Sequence, residues 1–206
     1  MHMNNPNTFF SAFIKEVVGQ EHTHFFWLRA LSYLEYIGYR KMVKALPFDA
    51  VSTSEVHHLG DEIQHSLMLK QMARKVFGHL NLAEPIRAKI CGISEEYFQS
   101  LDSSINDYLQ KLSGYYDPYR TYAYVSYIIE LRAMQTYPAY LQCLGASPIK
   151  IIVQKIIQDE SDHLRHVKKL IGSFEPPAGL TESDMLALED VCFKNFIKAF
   201  RTHLLQ

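Results

Sequence analysis

Cysteine is scarce in this 206-residue chain, and its three copies share no spacing that would bind a metal or form a disulfide scaffold. Cys91, Cys143 and Cys192 stand alone, without a CxxC pair. Their isolation argues against a zinc-thiolate site and against a rubredoxin-like module. We interpret all three as reduced core residues, the state typical of a reducing compartment.

The chain also lacks long apolar runs and an excess of charge of one sign. No run of about eighteen apolar residues occurs, and the N-terminal residues have neither the basic start nor the apolar stretch of a signal peptide. The formal net charge is -1, which gives no electrostatic signal for nucleic acid. We therefore expect a cytoplasmic protein with no membrane span and no nucleic-acid partner.

Apolar residues recur at helical spacing along four long segments, and nowhere do they alternate as in a strand. The sequence is 48% hydrophobic and 21% charged, which is the composition of a globular domain. It predicts a single all-α domain: two hairpins of core helices, a long crossover between them and an extra C-terminal helix. The predicted boundaries are about 22–46, 53–77, 119–144 and 148–172 for the core helices, 78–118 for the crossover with a helix around 94–112, and 182–205 for the C-terminal helix.

Four glutamates lie on helix faces that are otherwise apolar: Glu35, Glu62, Glu130 and Glu160. A buried carboxylate without a partner costs several kcal/mol, or its pKa rises until the group is neutral. The same faces carry no matching lysine or arginine. Two bound metal ions would supply the missing positive charge.

Two segments of the core helices, 61–65 and 159–163, share the pattern Asp-Glu-x-x-His. A spacing of three places each glutamate and histidine on one face of a helix, so that both can point at one site. Asp61 and Asp159 are placed to accept the second ring N–H of a histidine ligand. The predicted metal ligands are Glu35, Glu62, His65, Glu130, Glu160 and His163.

The depth of the glutamates within the two hairpins favours the same site. Residues at one height of an antiparallel hairpin are equidistant from its turn. The midpoint of Glu35 and Glu62 lies beside Pro47, and that of the other two glutamates is Gly145, both in predicted turns. Each pair should therefore meet across its hairpin, roughly 20 Å from the turn, because a helix rises about 1.5 Å per residue.

Two further Glu-x-x-His copies occur, at 21–24 and 55–58, and neither follows an aspartate. When the glutamate of each copy is reflected about the predicted turn of its hairpin, the residue at the same height on the other helix is not a carboxylate. Glu55 and His58 share a helix face with the motif at 61–65. An accessory site or an access path is therefore one alternative for this pair, and packing at the surface or directly behind the metal ligands is the interpretation that we favour.

Two tyrosines, Tyr39 and Tyr127, lie about one helical turn from predicted glutamate ligands. They are candidate pocket residues with a redox or gating role, and plain core packing is the alternative that their spacing favours. A simpler account of the whole pattern makes the glutamates solvated and the histidines ordinary helix residues. It requires both depth matches and both Asp-Glu-x-x-His segments to be coincidences.

One Glu from each of two helices, with Glu-x-x-His from each of two others, is the ligand set of the ferritin-like di-iron carboxylate superfamily. The chain resembles that superfamily over about 22–77 and 119–172. The resemblance implies a ferritin-like four-helix bundle in which Glu62 and Glu160 bridge two metals. The other four predicted ligands would each bind one metal.

The Asp-Glu-x-x-His form is similar to the oxygenase branch of the superfamily, in which the aspartate of one motif contacts the histidine of the other. The resemblance therefore implies two pairs, Asp61 with His163 and Asp159 with His65. The chain departs from that branch at one point. Oxygenases often have arginine before the motif histidine, where the two motifs of this chain have glutamine and aspartate.

The resemblance implies an oxidoreductase that binds two iron ions, or manganese, and activates dioxygen or peroxide to oxidise or hydroxylate a small-molecule substrate. Electrons would come from an external reductase, because the sequence has no flavin or iron–sulfur motif. Iron oxidation and storage, or peroxide removal, form the first alternative, and a bundle that keeps its metals only for structure is the second. A storage cage needs a large oligomer, whereas an oxidase would be a monomer or a homodimer.

Overall fold

Helices provide the regular secondary structure of residues 6–46, 49 and 51–205, the part of the chain that the computed structural model describes. Within it the predicted all-α class is confirmed, with seven α-helices and no strand. None of these helices is long and apolar enough to cross a membrane. The helices are α1 (Pro6–Val18), α2 (Glu21–Ala45), α3 (Thr53–Val76), α4 (Glu84–Ser113), α5 (Pro118–Cys143), α6 (Ile149–Ile171) and α7 (Glu182–Leu204).

Several helices begin where a side chain accepts the free backbone N–H groups of the first turn. The Ser52 hydroxyl accepts from the Glu55 N–H and the Glu55 carboxylate accepts from the Ser52 N–H, which forms a capping box at the start of α3. Asp117 and Thr181 each accept one backbone N–H at the starts of α5 and α7. At its other end, α4 stops at Gly114, whose φ of 77° is a left-handed conformation that glycine adopts readily.

The four predicted core helices correspond to α2, α3, α5 and α6, which form a ring of contacts. α2 packs along α3 and α5 packs along α6, so each predicted hairpin is a pair of neighbouring helices. α3 also contacts α6 and α2 contacts α5, which closes the ring. The helix boundaries agree with the predicted ones to within a few residues. The predicted stop at Pro47 lies outside the described residues.

The crossover contains one helix that is longer than predicted. α4 begins at Glu84 because Pro85 falls in its first turn, where a proline costs no hydrogen bond. The turn residues before this proline therefore mark the start of the helix. Gly92, another turn signal of the sequence, lies inside α4. The crossover thus forms a full-length wall beside the ring of core helices, with contacts to α2 and α5.

α1 is absent from the helices predicted from the sequence, and its aromatic side chains pack against rings of α2 and α7. The Phe13 ring lies 5.3 Å from that of Trp27 and 5.7 Å from that of Phe200, measured between centroids. A helix of this length is marginal without tertiary contacts, so its short apolar pattern is a weak sequence signal. The predicted C-terminal helix is present as α7, which packs mainly on α4, where the Phe196 and Tyr97 rings lie 5.6 Å apart.

Candidate metal centre

The six predicted ligands converge between α2, α3, α5 and α6, and all six are buried. A seventh buried residue, His58 of α3, lies among them. Their donor atoms form two groups that share Glu62, and within each group the atoms lie within 4.8 Å of one another. The groups are Glu35, Glu62, His65 and Glu160, and His58, Glu62, Glu130 and His163.

In the first group, the imidazole of His65 faces two carboxylates. Its Nδ1 atom lies 3.0 Å from Oε1 of Glu160 and 3.7 Å from Oε2 of Glu35. This nitrogen is buried and makes no hydrogen bond with any described residue. Buried polar atoms in proteins are normally satisfied, so an unpartnered nitrogen beside carboxylate oxygens is an arrangement that a shared cation would complete.

In the second group, two imidazoles share the neighbouring carboxylates. Nδ1 of His163 lies 3.0 Å from Oε2 of Glu160 and 3.7 Å from Oε1 of Glu62. Nε2 of His58 lies 3.0 Å from Oε1 of Glu130 and 3.2 Å from Oε1 of Glu62. The two imidazole rings are stacked, with centroids 3.8 Å apart. Glu160 therefore contacts a histidine of each group, one through each of its oxygens.

The structure places His58 within the donor cluster, whereas the sequence favoured packing at the surface or behind the metal ligands. This residue lies four positions before Glu62 and seven before His65, so all three project from one face of α3. The spacing is visible in the sequence, but reflection across the hairpin tests only for a carboxylate on α2, whereas the partners of His58 from other helices, Glu130 and His163, lie on α5 and α6. Glu55 keeps a packing role, because its carboxylate closes the capping box and accepts a hydrogen bond from Tyr119 at 3.0 Å.

The structure contains both cross-motif pairs that the resemblance implied. Nε2 of His65 lies 3.0 Å from Oδ2 of Asp159, and Nε2 of His163 lies 3.2 Å from Oδ2 of Asp61. Lys155 contacts Asp159 as well, at 2.6 Å from Oδ1. When Nε2 donates its proton to an aspartate, Nδ1 keeps a lone pair and faces the glutamates. The aspartates therefore select the ring tautomer that a metal ligand requires.

The buried glutamates differ in their affinity for protons. Burial, aided by the nearby Glu62 carboxylate, raises the pKa of Glu35 to about 7. Burial also raises the pKa of Glu130 well above its ordinary value, and the charge of Glu160 adds to the effect. Burial would raise the pKa of Glu160 too, but contacts with the imidazoles, His163 first, outweigh it and hold that pKa well below its ordinary value. The cluster thus needs protons or metal cations to offset its negative charge.

Two imidazoles of the cluster hold protons strongly in the protein alone. Burial lowers the pKa of an imidazole, but contacts with Glu160 and Glu35 outweigh burial and raise the pKa of His65 to about 12. The contact with Glu160 likewise outweighs burial at His163 and raises its pKa to about 9. Histidine must be neutral to bind a metal, so metal binding at this cluster would release protons.

The tyrosine that contacts the cluster is neither of the two predicted pocket residues. The hydroxyl of Tyr137, on α5, donates a hydrogen bond to Oε1 of Glu35. Tyr127 instead donates to Glu182 at the start of α7, and Tyr39 is half-buried and stacks on a neighbouring tyrosine of α2. Neither lines the two cavities beside the cluster. The contacts of both tyrosines therefore favour the packing alternative, and the pocket role stays a prediction.

Two cavities adjoin the cluster and share Gly38, Phe98 and Ile129 in their walls. The larger, with a volume of about 740 Å³, reaches His58 and two of the glutamates, and extends outward to exposed residues such as Tyr116. The smaller has a volume of about 70 Å³, has mainly apolar walls and touches all four glutamates. A small molecule could therefore reach the candidate ligands through the larger cavity.

The small cavity contains two polar groups whose hydrogen-bonding capacity is unused. Trp27 and Thr136 both line it, and the Nε1 atom of the first and the hydroxyl of the second are buried without a partner among the described residues. Such groups normally bind an ordered water or a ligand. The cavity thus combines room for a guest of a few atoms with donors to hold it beside the carboxylates.

Gly38 lets α2 approach the carboxylate of Glu62 closely. A Cβ atom at this position would lie 2.6 Å from Oε2 of Glu62, well inside van der Waals contact. Glycine within a helix costs about 1 kcal/mol relative to alanine. A side chain at this position would displace the flexible end of Glu62 from its place among the candidate ligands.

Comparison with known proteins adds no family to this description. No protein-family model, no curated protein and no solved structure matches the chain significantly. The seven buried donors and the groups around them are therefore the basis on which function is argued.

Proposed function

We propose that this protein is a dinuclear metalloprotein of the ferritin-like type that activates dioxygen or peroxide to oxidise a small molecule. The observation that carries the proposal is the convergence of seven buried donors in two overlapping groups. Four ionised glutamates carry the charge that two divalent cations would neutralise, and no lysine or arginine among the described residues pairs with them. The ring of four core helices and its long crossover support the ferritin-like arrangement.

The residues fit two metals that share ligands. His65 and His163 each present Nδ1 to the carboxylates while Nε2 contacts an aspartate, which is the orientation of a histidine ligand. Glu62 belongs to both donor groups, and Glu160 contacts a histidine of each. These two glutamates are the proposed bridging ligands. His58 is proposed as a third imidazole ligand, in addition to those that the resemblance implied.

The donor set favours iron, with manganese as the alternative. Carboxylates with imidazoles and no thiolate suit Fe(II) or Mn(II) better than a zinc-thiolate or an all-oxygen calcium site. Iron bound there would supply the redox chemistry by which dioxygen is activated. The chain itself orients the histidines through Asp61 and Asp159, keeps the donors buried, and positions Glu35 through the hydroxyl of Tyr137. Electrons would come from an external reductase.

Oxygen uptake by protein loaded anaerobically with Fe(II) tests this proposal. We expect dioxygen consumption by the wild type and a rate at least tenfold lower in Glu160→Ala, since this substitution removes the carboxylate that contacts both motif histidines. Glu96→Ala, at an exposed position of α4, is the matched control and should keep the wild-type rate. A protein that holds two irons per chain but consumes no oxygen would instead be a bundle that uses metals for structure.

The large cavity favours an organic substrate over iron storage, the first alternative. A storage site needs a passage for ions, whereas a cavity of about 740 Å³ that ends at His58, Glu62 and Glu130 has room for a drug-sized molecule. Size-exclusion chromatography with light scattering separates the two functions. We expect a monomer or a homodimer, and a cage of many chains would favour storage.

A further inference from the structure

The large cavity follows α2, α4 and α5 from the protein surface to the candidate metal centre. Its outer end includes Lys44 and Tyr116, which are exposed, and its inner end includes Glu62 and Glu130, which are buried. Along α5 its wall runs from Pro118 to Glu130, a distance of about 18 Å at the helical rise of 1.5 Å per residue. A cavity of this shape fits an elongated molecule, with one end at the surface and the other at the metal ligands.

The middle of the cavity is apolar. Its wall there includes one apolar residue from each of α2, α4 and α5, namely Ile37, Phe98 and Val125. Each of these residues is at most 5% exposed to solvent. Met42 lines it as well and is buried. Burying the apolar surface of a ligand there favours binding through the hydrophobic effect. The middle of the bound molecule should therefore be aliphatic.

The outer half of the cavity carries a surplus of positive charge on α2. Arg40 and Lys41 line the cavity, and each forms an ion pair with a residue of α4, Glu95 and Asp102 respectively. Lys44 lies one turn further toward the exposed end and has no ion-pair partner among the described residues. The outer end thus offers an uncompensated cation next to a second ammonium group, which favours an anionic group.

We propose that the large cavity binds an elongated aliphatic carboxylate, with its carboxylate at Lys41 and Lys44 and its other end beside Glu62 and Glu130. The chemistry at the inner end rests on the proposed function, because only the metals would oxidise the bound molecule there. Binding itself depends on the cavity and the lysines. The two claims can therefore fail separately.

Calorimetric titration of the full chain with three probes of equal chain length tests the charge preference. Decanoate, decan-1-ol and decylamine differ only in their head groups. We expect one decanoate per chain, decanol at least tenfold weaker and no measurable binding of decylamine. Equal affinity for all three, or no binding of decanoate, would overturn the proposal.

Three variants locate the bound probe. Thr121→Trp, at a half-buried position in the cavity wall, should abolish decanoate binding by filling the cavity. The double variant Lys41→Met with Lys44→Met should weaken decanoate binding at least tenfold and leave decanol binding unchanged. Lys89→Met, at an exposed position of α4 outside the cavity, is the matched control and should bind decanoate like the wild type.

Metal analysis of the same samples distinguishes the two claims. Decanoate binding that vanishes on metal removal and is indifferent to Lys41 and Lys44 would place the carboxylate on the metals, which overturns the proposed orientation. Decanoate binding that depends on the lysines, in a chain that takes up no metal on anaerobic loading, would support the cavity proposal and contradict the oxygen-activating function. Unchanged binding in Thr121→Trp would place the probe outside the cavity and contradict the inference.

Discussion

Glu189 and Glu160 are almost equally buried, at 1% and 2% exposure, yet different groups provide the counter-charge of each carboxylate. Glu189, on α7, receives the guanidinium of Arg132 from α5, with Nε 2.8 Å from Oε1, and the hydroxyl of Tyr97 from α4 at 2.8 Å. Glu160, on α6, is contacted by the imidazoles of His65 and His163 and lies near a second carboxylate, that of Glu130. One buried acid has its own permanent cation, and the other does not.

This comparison shows where the chain supplies its own counter-charge. A guanidinium stays protonated at every physiological pH, and that of Arg132 also lies 4.2 Å from the ring centroid of Phe193. Around the four glutamates of the cluster, the described residues provide only imidazoles, which carry charge at the cost of their ability to bind metal. The region around Glu189 is complete as an ion pair, whereas the cluster is the place where we propose that external cations supply the positive charge.

Metal removal should produce the largest effect on stability. Two sites, each with free metal at a thousandfold excess over Kd, contribute together about 8 kcal/mol to the free energy of unfolding. We expect urea unfolding of the metal-loaded protein to shift strongly when a chelator is added, and that of Glu160→Ala to shift little. If the urea midpoint were the same with and without chelator, protons alone would neutralise the cluster. The cluster would then not differ from the region around Glu189 in needing external cations.

Breaking the internal ion pair should cost less and leave the metals in place. Arg132→Met leaves the buried carboxylate of Glu189 without its cation. Loss of one partner of a buried ion pair lowers the free energy of unfolding by about 3 to 5 kcal/mol. The double variant Arg132→Met with Glu189→Met should recover most of this loss, because no unpaired charge remains. Denaturant unfolding measures both effects, and metal content should stay at the wild-type level. A loss of metal in Arg132→Met would show that the two regions are coupled.

His24 is a third kind of buried ionisable group, in addition to the paired Glu189 and the glutamate cluster, because it is buried in its uncharged form. Its Nε2 lies 2.6 Å from the hydroxyl of Tyr140, and burial lowers its pKa to about 4. The unfolded chain, with a histidine pKa near 6.5, takes up the proton first as pH falls. Stability from the neutral imidazole is therefore present above about pH 6.5 and is lost as pH falls toward 4, by up to about 3 kcal/mol.

Substitution of His24 isolates this effect from the titration of other groups. The free-energy cost of His24→Gln, measured by urea unfolding, should be smaller at pH 5 than at pH 7 by about 2 kcal/mol. Tyr140→Phe keeps the histidine buried and should keep the acid sensitivity, so it serves as the control. An equal cost of His24→Gln at both pH values would contradict the burial argument.

Helix geometry explains why the convergence of the six predicted donors was accessible from sequence. A separation of three residues fixes a shared helix face, and the midpoint rule fixes depth within a hairpin, so Glu35 meets Glu62 without knowledge of tertiary structure. The pairing of each motif aspartate with the opposite histidine followed from the resemblance and is present in the structure. The fold class and the core helices were predictable for the same reason, because long amphipathic helices give strong periodic signals.

The features that escaped prediction depend on contacts between helices that are not neighbours in a hairpin. His58 meets Glu130 of α5, and the relative height of α3 and α5 follows from neither hairpin turn. Tyr137 lies two turns after Glu130, but its hydrogen bond crosses to Glu35 on α2. The large cavity depends on α4, whose start is marked by Pro85, a residue that signals a turn as readily as a first helical turn.

Metal stoichiometry after anaerobic loading with Fe(II) and removal of free ions tests whether the buried cluster binds two metals. We expect about two irons per chain in the wild type and in Glu96→Ala, and a loss of bound iron in Glu62→Ala and in Glu160→Ala. Iron near zero in the wild type, or unchanged iron in both cluster variants, would contradict this expectation.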